Sequence, residues 1–256
     1  MTPNNDAVNS NIDNNNLPNM IANLSNIALI SAAVERLDSR VAGLPGIGVM
    51  YAPAGWGKTH AAIAIANQTR ALMVAMRSAW SRKTLLEKIL LELSIKPQGT
   101  IANMLEQVCQ GLAAAGRILI IDEADTLVKS DVMIELVRDI YEGSQSSILL
   151  IGEELLPQKL KRWERFHSRI LIFVPAEPIT VADAALLAPI YCPKIEIKKD
   201  LLEYLVANSG GSVRRVAVNL NNILETANIE GWRSVDRKQW DNRGLYTGEA
   251  PRRRVA

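Results

Sequence analysis

Little in this chain of 256 residues points to metal or redox chemistry. It carries two cysteines, Cys109 and Cys192, and two histidines, His60 and His167, too few and too scattered for a ligand cluster or a disulfide framework. Inert, reduced thiols and a cytoplasmic setting are expected. No apolar run approaches the ~20 residues that a membrane helix needs. The opening stretch, MTPNNDAVNSNIDNNNLPN, lacks the charged and apolar regions of a signal peptide, so a soluble protein with no membrane partner is expected. The formal net charge is only +2, which does not by itself announce nucleic acid; any basic surface has to be local. A hydrophobic content of 48% with 22% charged residues describes an ordinary globular chain, long enough for one large domain or one large and one small.

What is present is concentrated in two short stretches. Residues 51–60 read YAPAGWGKTH, close to the phosphate-loop pattern G-x-x-x-x-G-K-[ST] but with Ala52 in the first glycine's place. The chemistry of such a loop depends on its later positions. Consecutive backbone N–H groups must turn inward on a phosphate, and Gly55 and Gly57 remove side-chain bulk at the tight bends. Lys58 would reach the β- and γ-phosphates and the Thr59 hydroxyl would ligand Mg²⁺. The expected ATP contacts are therefore Ala54, Gly55, Trp56, Gly57, Lys58, Thr59 and His60. The flanks agree: GIGVMYA from Gly46 reads as a buried strand, and KTHAAIAIANQT as a helix whose N-terminus adds partial positive charge.

The second stretch is RILIIDEADTL, residues 117–127. An apolar strand that delivers an acid at its C-terminal end beside a phosphate loop is how Mg²⁺ is held in this class, which makes Asp122 the metal-side candidate. Glu123 directly after it suits a general base for an attacking water, a group that a simple nucleotide switch has no need of there. The letters DEAD coincide with a helicase signature, but the further helicase motifs are lacking.

Along the chain, residues 1–24 read as a disordered Asn-rich tail. Order is expected from Ser25, a candidate N-cap, with Ile27, Ile30, Val34, Leu37 and Val41 at helical spacing. Strands are expected at ALMVAM (71–76), SILLIG (147–152) and RILIFV (169–174), besides the two already placed. Two helical patterns fall between the second strand and the acidic one, carried by Leu85 to Leu93 and by Ile101 to Leu112, with one more at about 130–143 and one at about 154–166. Strands alternating with helices predict a five-stranded parallel sheet covered on both faces, over residues 25–175. From Pro175 to about 229 no strand is expected; three helices over 176–230 make a small lid, and 231–256 read as a basic tail that includes PRRR.

A phosphate loop on an α/β core, an Asp-Glu pair and a helical C-terminal lid together resemble the AAA+ ATPases. More narrowly, IIDEADTL, LLIGEE and FHSRI resemble the target-DNA-binding ATPases of transposition, the phage Mu B and TnsC type, over about residues 26–230. The resemblance implies further roles. Glu153, at the end of the fourth strand in chain order, matches the polar first sensor, where the Mu protein has an asparagine; an acid there repels phosphate unless turned away or bound to a cation. Arg169 matches the arginine finger that reaches a neighbour's γ-phosphate, with Arg165 in reserve, and Arg214 in GGSVRRV matches the second sensor, with Arg215 facing elsewhere. The helix-turn-helix domain of the Mu protein has no counterpart before Ser25. The implied partners are double-stranded DNA, further copies of the chain in a ring or helical filament, and a transposase, in a bacterial host cell. Arg77, Trp80, Arg82 and Lys83, at the mouth of the inserted helix pair, are the DNA-binding candidates, with Lys129, Lys161 and Arg162 as additions. The same core also serves helicase loaders and replication initiators. A P-loop small-molecule kinase is the third possibility, disfavoured because it needs an enclosed acceptor pocket and no neighbour's arginine.

Overall fold

The computed structural model describes residues 24–249. The Asn-rich stretch expected to be disordered, apart from Leu24, and the last seven residues lie outside the described residues. Strands β1 (Ile47–Tyr51), β2 (Leu72–Ala75), β3 (Leu119–Asp122), β4 (Ile148–Gly152) and β5 (Ile170–Pro175) form one parallel sheet in the order β2-β3-β4-β1-β5. The strands are apolar on both faces because both faces are covered. Ile47, Val49, Leu119, Ile121, Ile148 and Leu150 point to one side. That side carries α3 (Arg82–Glu92), α4 (Ile101–Ala115), α5 (Asp131–Ser144) and the short α6 (Leu156–Leu160) and α7 (Glu164–His167). Met50, Ile120, Leu149 and Ile151, the alternate positions, point to α1 (Ser25–Asp38) and α2 (Lys58–Thr69). This is the five-stranded α/β architecture that the sequence predicts.

A third cluster of buried side chains belongs to the lid: α8 (Val181–Tyr191), α9 (Lys199–Ala207) and α10 (Val213–Glu230), closed by Leu24 from the start of α1. Two expectations fail here. The lid does contain a strand, β6 (Glu196–Ile197), which pairs in parallel with β7 (Ser234–Val235) from the stretch beyond it; each has two residues and is too short to show a periodic pattern. The stretch expected as a tail is held to the lid as far as Tyr246: Val235 is fully buried, Trp240 of α11 (Arg237–Trp240) is buried, and Asn219 exchanges hydrogen bonds with the backbone of Tyr246.

Elsewhere the single helix expected at 154–166 is broken. Leu160 and Phe166 are both fully buried, six residues apart, a spacing that one straight helix places on different faces; the chain turns at Trp163, whose indole N–H donates to Asp131 at 3.1 Å. Ser25 is the first helical residue and caps nothing. Its backbone N–H and hydroxyl donate instead to the Asp183 carboxylate, 158 residues away. A 3₁₀ helix that the periodicity did not reveal, Ala124–Lys129, joins β3 to α5. Among the described residues no helix is long and apolar enough to cross a membrane.

Candidate nucleotide site and cationic cleft

In a parallel sheet every C-terminal strand end lies along one edge, which is where ligands sit in open α/β folds. β4 runs between β3 and β1, so the loop after β1 and the acid pair after β3 flank the end of β4 with its Glu153. Gly55 and Gly57 have φ of +83° and +84°, the left-handed region that L side chains rarely adopt. A Cβ on Gly55 would also lie 2.6 Å from the Ser212 hydroxyl of the lid. Ala52 is 2% exposed, so a small residue is required where the loop leaves its strand. Lys58 opens α2, and its ammonium donates to the loop's own carbonyls at Ala52 (2.7 Å) and Pro53 (2.9 Å). Burial pushes the Lys58 pKa below that of an ordinary lysine, against the pull of Asp122, Glu123, Glu153 and Asp125.

Asp122 is buried at the end of β3 and accepts from the Glu123 N–H at 2.8 Å. Glu123 is exposed and has φ of +54°, an uncommon conformation for a residue with a side chain. The bend turns the chain out of the strand into the 3₁₀ helix. Asp125 on that helix accepts from the Glu153 N–H and from Lys159 at 2.9 Å, which ties the end of β4 to the segment after β3. Asp125, the last D of DEAD, therefore has a structural use that its place in the motif does not announce.

One cavity of about 750 Å³ gathers these groups. It is lined by Ala54, Gly55, Gly57, Lys58, Thr59, His60, Asp122, Glu123, Glu153 and, from the lid, Arg214. Thr59 and Asp122 are an oxygen donor pair of the kind Mg²⁺ takes. Much of the remaining wall was missed: Leu24, Leu187, Tyr191 and Val213, for example, are ordinary positions in or beside a helix with nothing in their spacing to mark a ligand. Trp56 is absent from the lining; its indole N–H donates to the Gly210 carbonyl of the lid at 3.2 Å. The Arg215 guanidinium is turned away onto the Ser209 carbonyl.

Arg169 lies outside this cavity and pairs with Glu142 of α5 at 3.0 Å, both side chains being more than two-fifths exposed. Arg165 is exposed. Arg162 pairs with Asp131, and Lys161 is exposed.

A second cleft, of about 340 Å³, lies between the start of α3 and the 3₁₀ helix. Trp80, half-buried against the sheet's core, forms its floor with Met133, and Arg82 and Lys129 stand on its rim beside the hydroxyls of Ser78, Ser81, Thr126 and Ser130. Three of the seven DNA-binding candidates, Trp80, Arg82 and Lys129, are thus brought to one place. Arg77 and Lys83 are exposed but line no part of the cleft, and Lys83 is shared with Glu87 at 3.7 Å.

Residues 42–160 match the family model described as an AAA domain. No curated protein matches the chain significantly. Among solved structures, the ORC1 protein of Aeropyrum pernix in complex with DNA is similar at 20% identity and a TM-score of 0.61, over 87% of this chain and 66% of that one. The ORC2 protein of the same organism, in ADPNP and ADP complexes, gives 18% identity and a TM-score of 0.60 over 84% and 65%. The RuvB Holliday junction branch migration motor of Thermotoga maritima gives 18% and 0.58 over 84% and 66%. The chain spans just under two thirds of the length of each. Matched motif, sheet order and C-terminal helices agree: residues 42–160 resemble an AAA domain and the whole has the α/β fold of the P-loop AAA+ ATPases.

Proposed function

We propose that the protein is an ATPase that binds DNA without sequence specificity in its ATP form, oligomerises on target DNA as a ring or helical filament, and delivers that DNA to a transposase, which it activates. The observation that carries the nucleotide part is the single cavity in which Lys58, Thr59, Asp122, Glu123 and Arg214 converge from a loop, a strand end and the lid. Lys58 and the loop N–H groups hold the phosphates, and Glu123, swung into the cavity by its left-handed backbone, orients the water and takes its proton. Thr59 and Asp122 would hold Mg²⁺, which would offset the charge of the phosphates. Glu153, which the resemblance matches to the first sensor, has its backbone N–H held by Asp125 and lines the cavity.

Arg169 is the candidate finger for a neighbour's nucleotide. Its present pairing with Glu142 is exposed, and such pairs contribute only about 0–1 kcal/mol, so exchanging the carboxylate for a phosphate costs little. Trp80, Arg82 and Lys129 supply an indole for a sugar or base and two cations for the backbone; Arg77 and Lys83 extend the positive surface.

Delivery to a transposase rests on the resemblance of IIDEADTL, LLIGEE and FHSRI. Likeness to the ORC proteins keeps a replication initiator or helicase loader as the second reading. Electron microscopy of the purified protein with duplex DNA and a slowly hydrolysed ATP analogue separates the two. Filaments or rings on bare duplex support transposition, and assembly that requires a helicase or single strands overturns it.

A further inference from the structure

The phosphate loop has two sides. Its inner side faces the cavity just described; its outer side is covered by the lid at three successive residues. The Gly55 carbonyl accepts from the Arg214 N–H at 3.2 Å and from the Ser212 hydroxyl at 3.3 Å, so the first turn of α10 ends on the loop. Gly57 approaches Val213 so closely that a Cβ there would lie 3.2 Å from its methyl. Between them Trp56 reaches out from the loop, donates its indole N–H to Gly210, and lies where a Cβ on Gly211 would come within 2.7 Å of its ring. The backbone carbonyl of Trp56 is fixed in turn. Buried Asn26 donates to it and to the Glu177 carbonyl, both at 2.9 Å, and accepts from the Glu177 N–H at 2.8 Å. A loop whose sole task was to cradle phosphate would have no need of a large aromatic at this position.

We infer that Trp56 is a positioning residue that fastens the lid to the outer side of the phosphate loop and so sets how long a nucleoside triphosphate stays bound. This rests on the reading of the cavity as the nucleotide site. The lid supplies Arg214, Leu187, Tyr191 and Val213 to that cavity, so its movement changes how much of the wall surrounds a bound nucleotide. With the indole in place, lid opening has to break the Gly210 hydrogen bond and drag on the loop that holds the phosphates. Without it, only the two hydrogen bonds on the Gly55 carbonyl couple the lid's movement to the loop, which Asn26 holds in place.

The test is a stopped-flow chase of a fluorescent ATP derivative with Mg²⁺ from the full chain, with Trp56→Phe, Trp56→Ala, Gly211→Ala and the Trp56→Ala/Gly211→Ala double variant. Trp56→Ala should raise the dissociation rate roughly tenfold, as expected for loss of one hydrogen bond and its packing, and Trp56→Phe, which keeps a ring, should fall between. Gly211→Ala alone should also speed release, because its Cβ wedges the ring away. Its φ of +80° strains alanine equally in both backgrounds, so a smaller effect of Gly211→Ala when Trp56 is already Ala isolates the contact. Amide exchange supplies a readout that needs no nucleotide: the Arg214 N–H should lose protection in Trp56→Ala while β3 amides keep theirs. Unchanged release in both Trp56 variants, or equal cost of Gly211→Ala in the two backgrounds, overturns the inference. Failure of the wild type to bind the probe in a Lys58-dependent way overturns the nucleotide reading instead, and the Arg214 exchange then still decides whether the fastening exists.

Discussion

The candidate nucleotide cavity and the cationic cleft sit at the two ends of one six-residue 3₁₀ helix, Ala124–Lys129, yet they are held in place by different means. The cavity is set by main chain: two left-handed glycines, the first turn of α2, and a bent Glu123 at a strand end. Its acid is buried and its cation is partly desolvated. The cleft is set by long side chains on an exposed rim, around one half-buried indole. Charges in a low-dielectric, prearranged site act strongly one by one, whereas exposed cations act weakly and in sum. Single substitutions in the cavity should therefore be decisive, and those in the cleft graded.

The largest effect is expected from Lys58→Ala, which should abolish ATP binding as measured by equilibrium dialysis. Glu123→Gln comes next: nucleotide affinity should be kept while turnover falls about 10²–10⁴-fold, the usual worth of a positioned base. Full ATPase activity in that variant would move the base elsewhere. The cleft responds more mildly. Arg82→Ala with Lys129→Ala should weaken binding to all duplexes alike and lower the slope of log affinity against log salt by about 2, one unit for each cation taken from a phosphate. A drop confined to one sequence would contradict the cleft's role.

How far these two regions could be read in advance follows from how they are built. A phosphate loop is a contiguous run whose backbone geometry demands particular residues, so Gly55, Gly57, Lys58 and Thr59 announced themselves, as did the acid at the end of an apolar strand. Trp80, Arg82 and Lys129 were visible as an indole and two cations, but nothing local indicated that the 3₁₀ helix would carry Lys129 and Thr126 to the start of α3. Asp183 was the most hidden. T-V-A-D at 180–183 reads as a capping box, and Asp183 does accept from the Thr180 N–H and hydroxyl. Its second task, accepting from Ser25 at the start of α1, depends on a residue brought from the other end of the fold. Trp163 broke an expected helix for the same kind of reason, a hydrogen bond to a distant aspartate.

The smallest expected effect concerns that junction of lid and core. Burial acts to raise the Asp183 pKa, but hydrogen bonds from Thr180 and Ser25 outweigh it and hold the carboxyl below its ordinary value of 3.8. A depressed carboxyl contributes stability that is fully present above 3.8 and is lost as pH falls through the folded-state value. Asp183→Asn should cost about 1–3 kcal/mol in denaturant unfolding at neutral pH, with the gap to the wild type narrowing below the ordinary carboxyl pKa. A constant gap at all pH values would assign Asp183 a purely steric part.

The central claim is that the cavity governs the cleft: ATP assembles the chain, and assembly aligns many weak clefts into one DNA-binding surface. Fluorescence anisotropy on unrelated duplexes, across a salt series and with ATP, ADP or no nucleotide, tests this most directly. The account predicts tight, sequence-independent and steeply salt-dependent binding with ATP, and binding weaker by orders of magnitude with ADP or none. Equal affinity in all three conditions would contradict it.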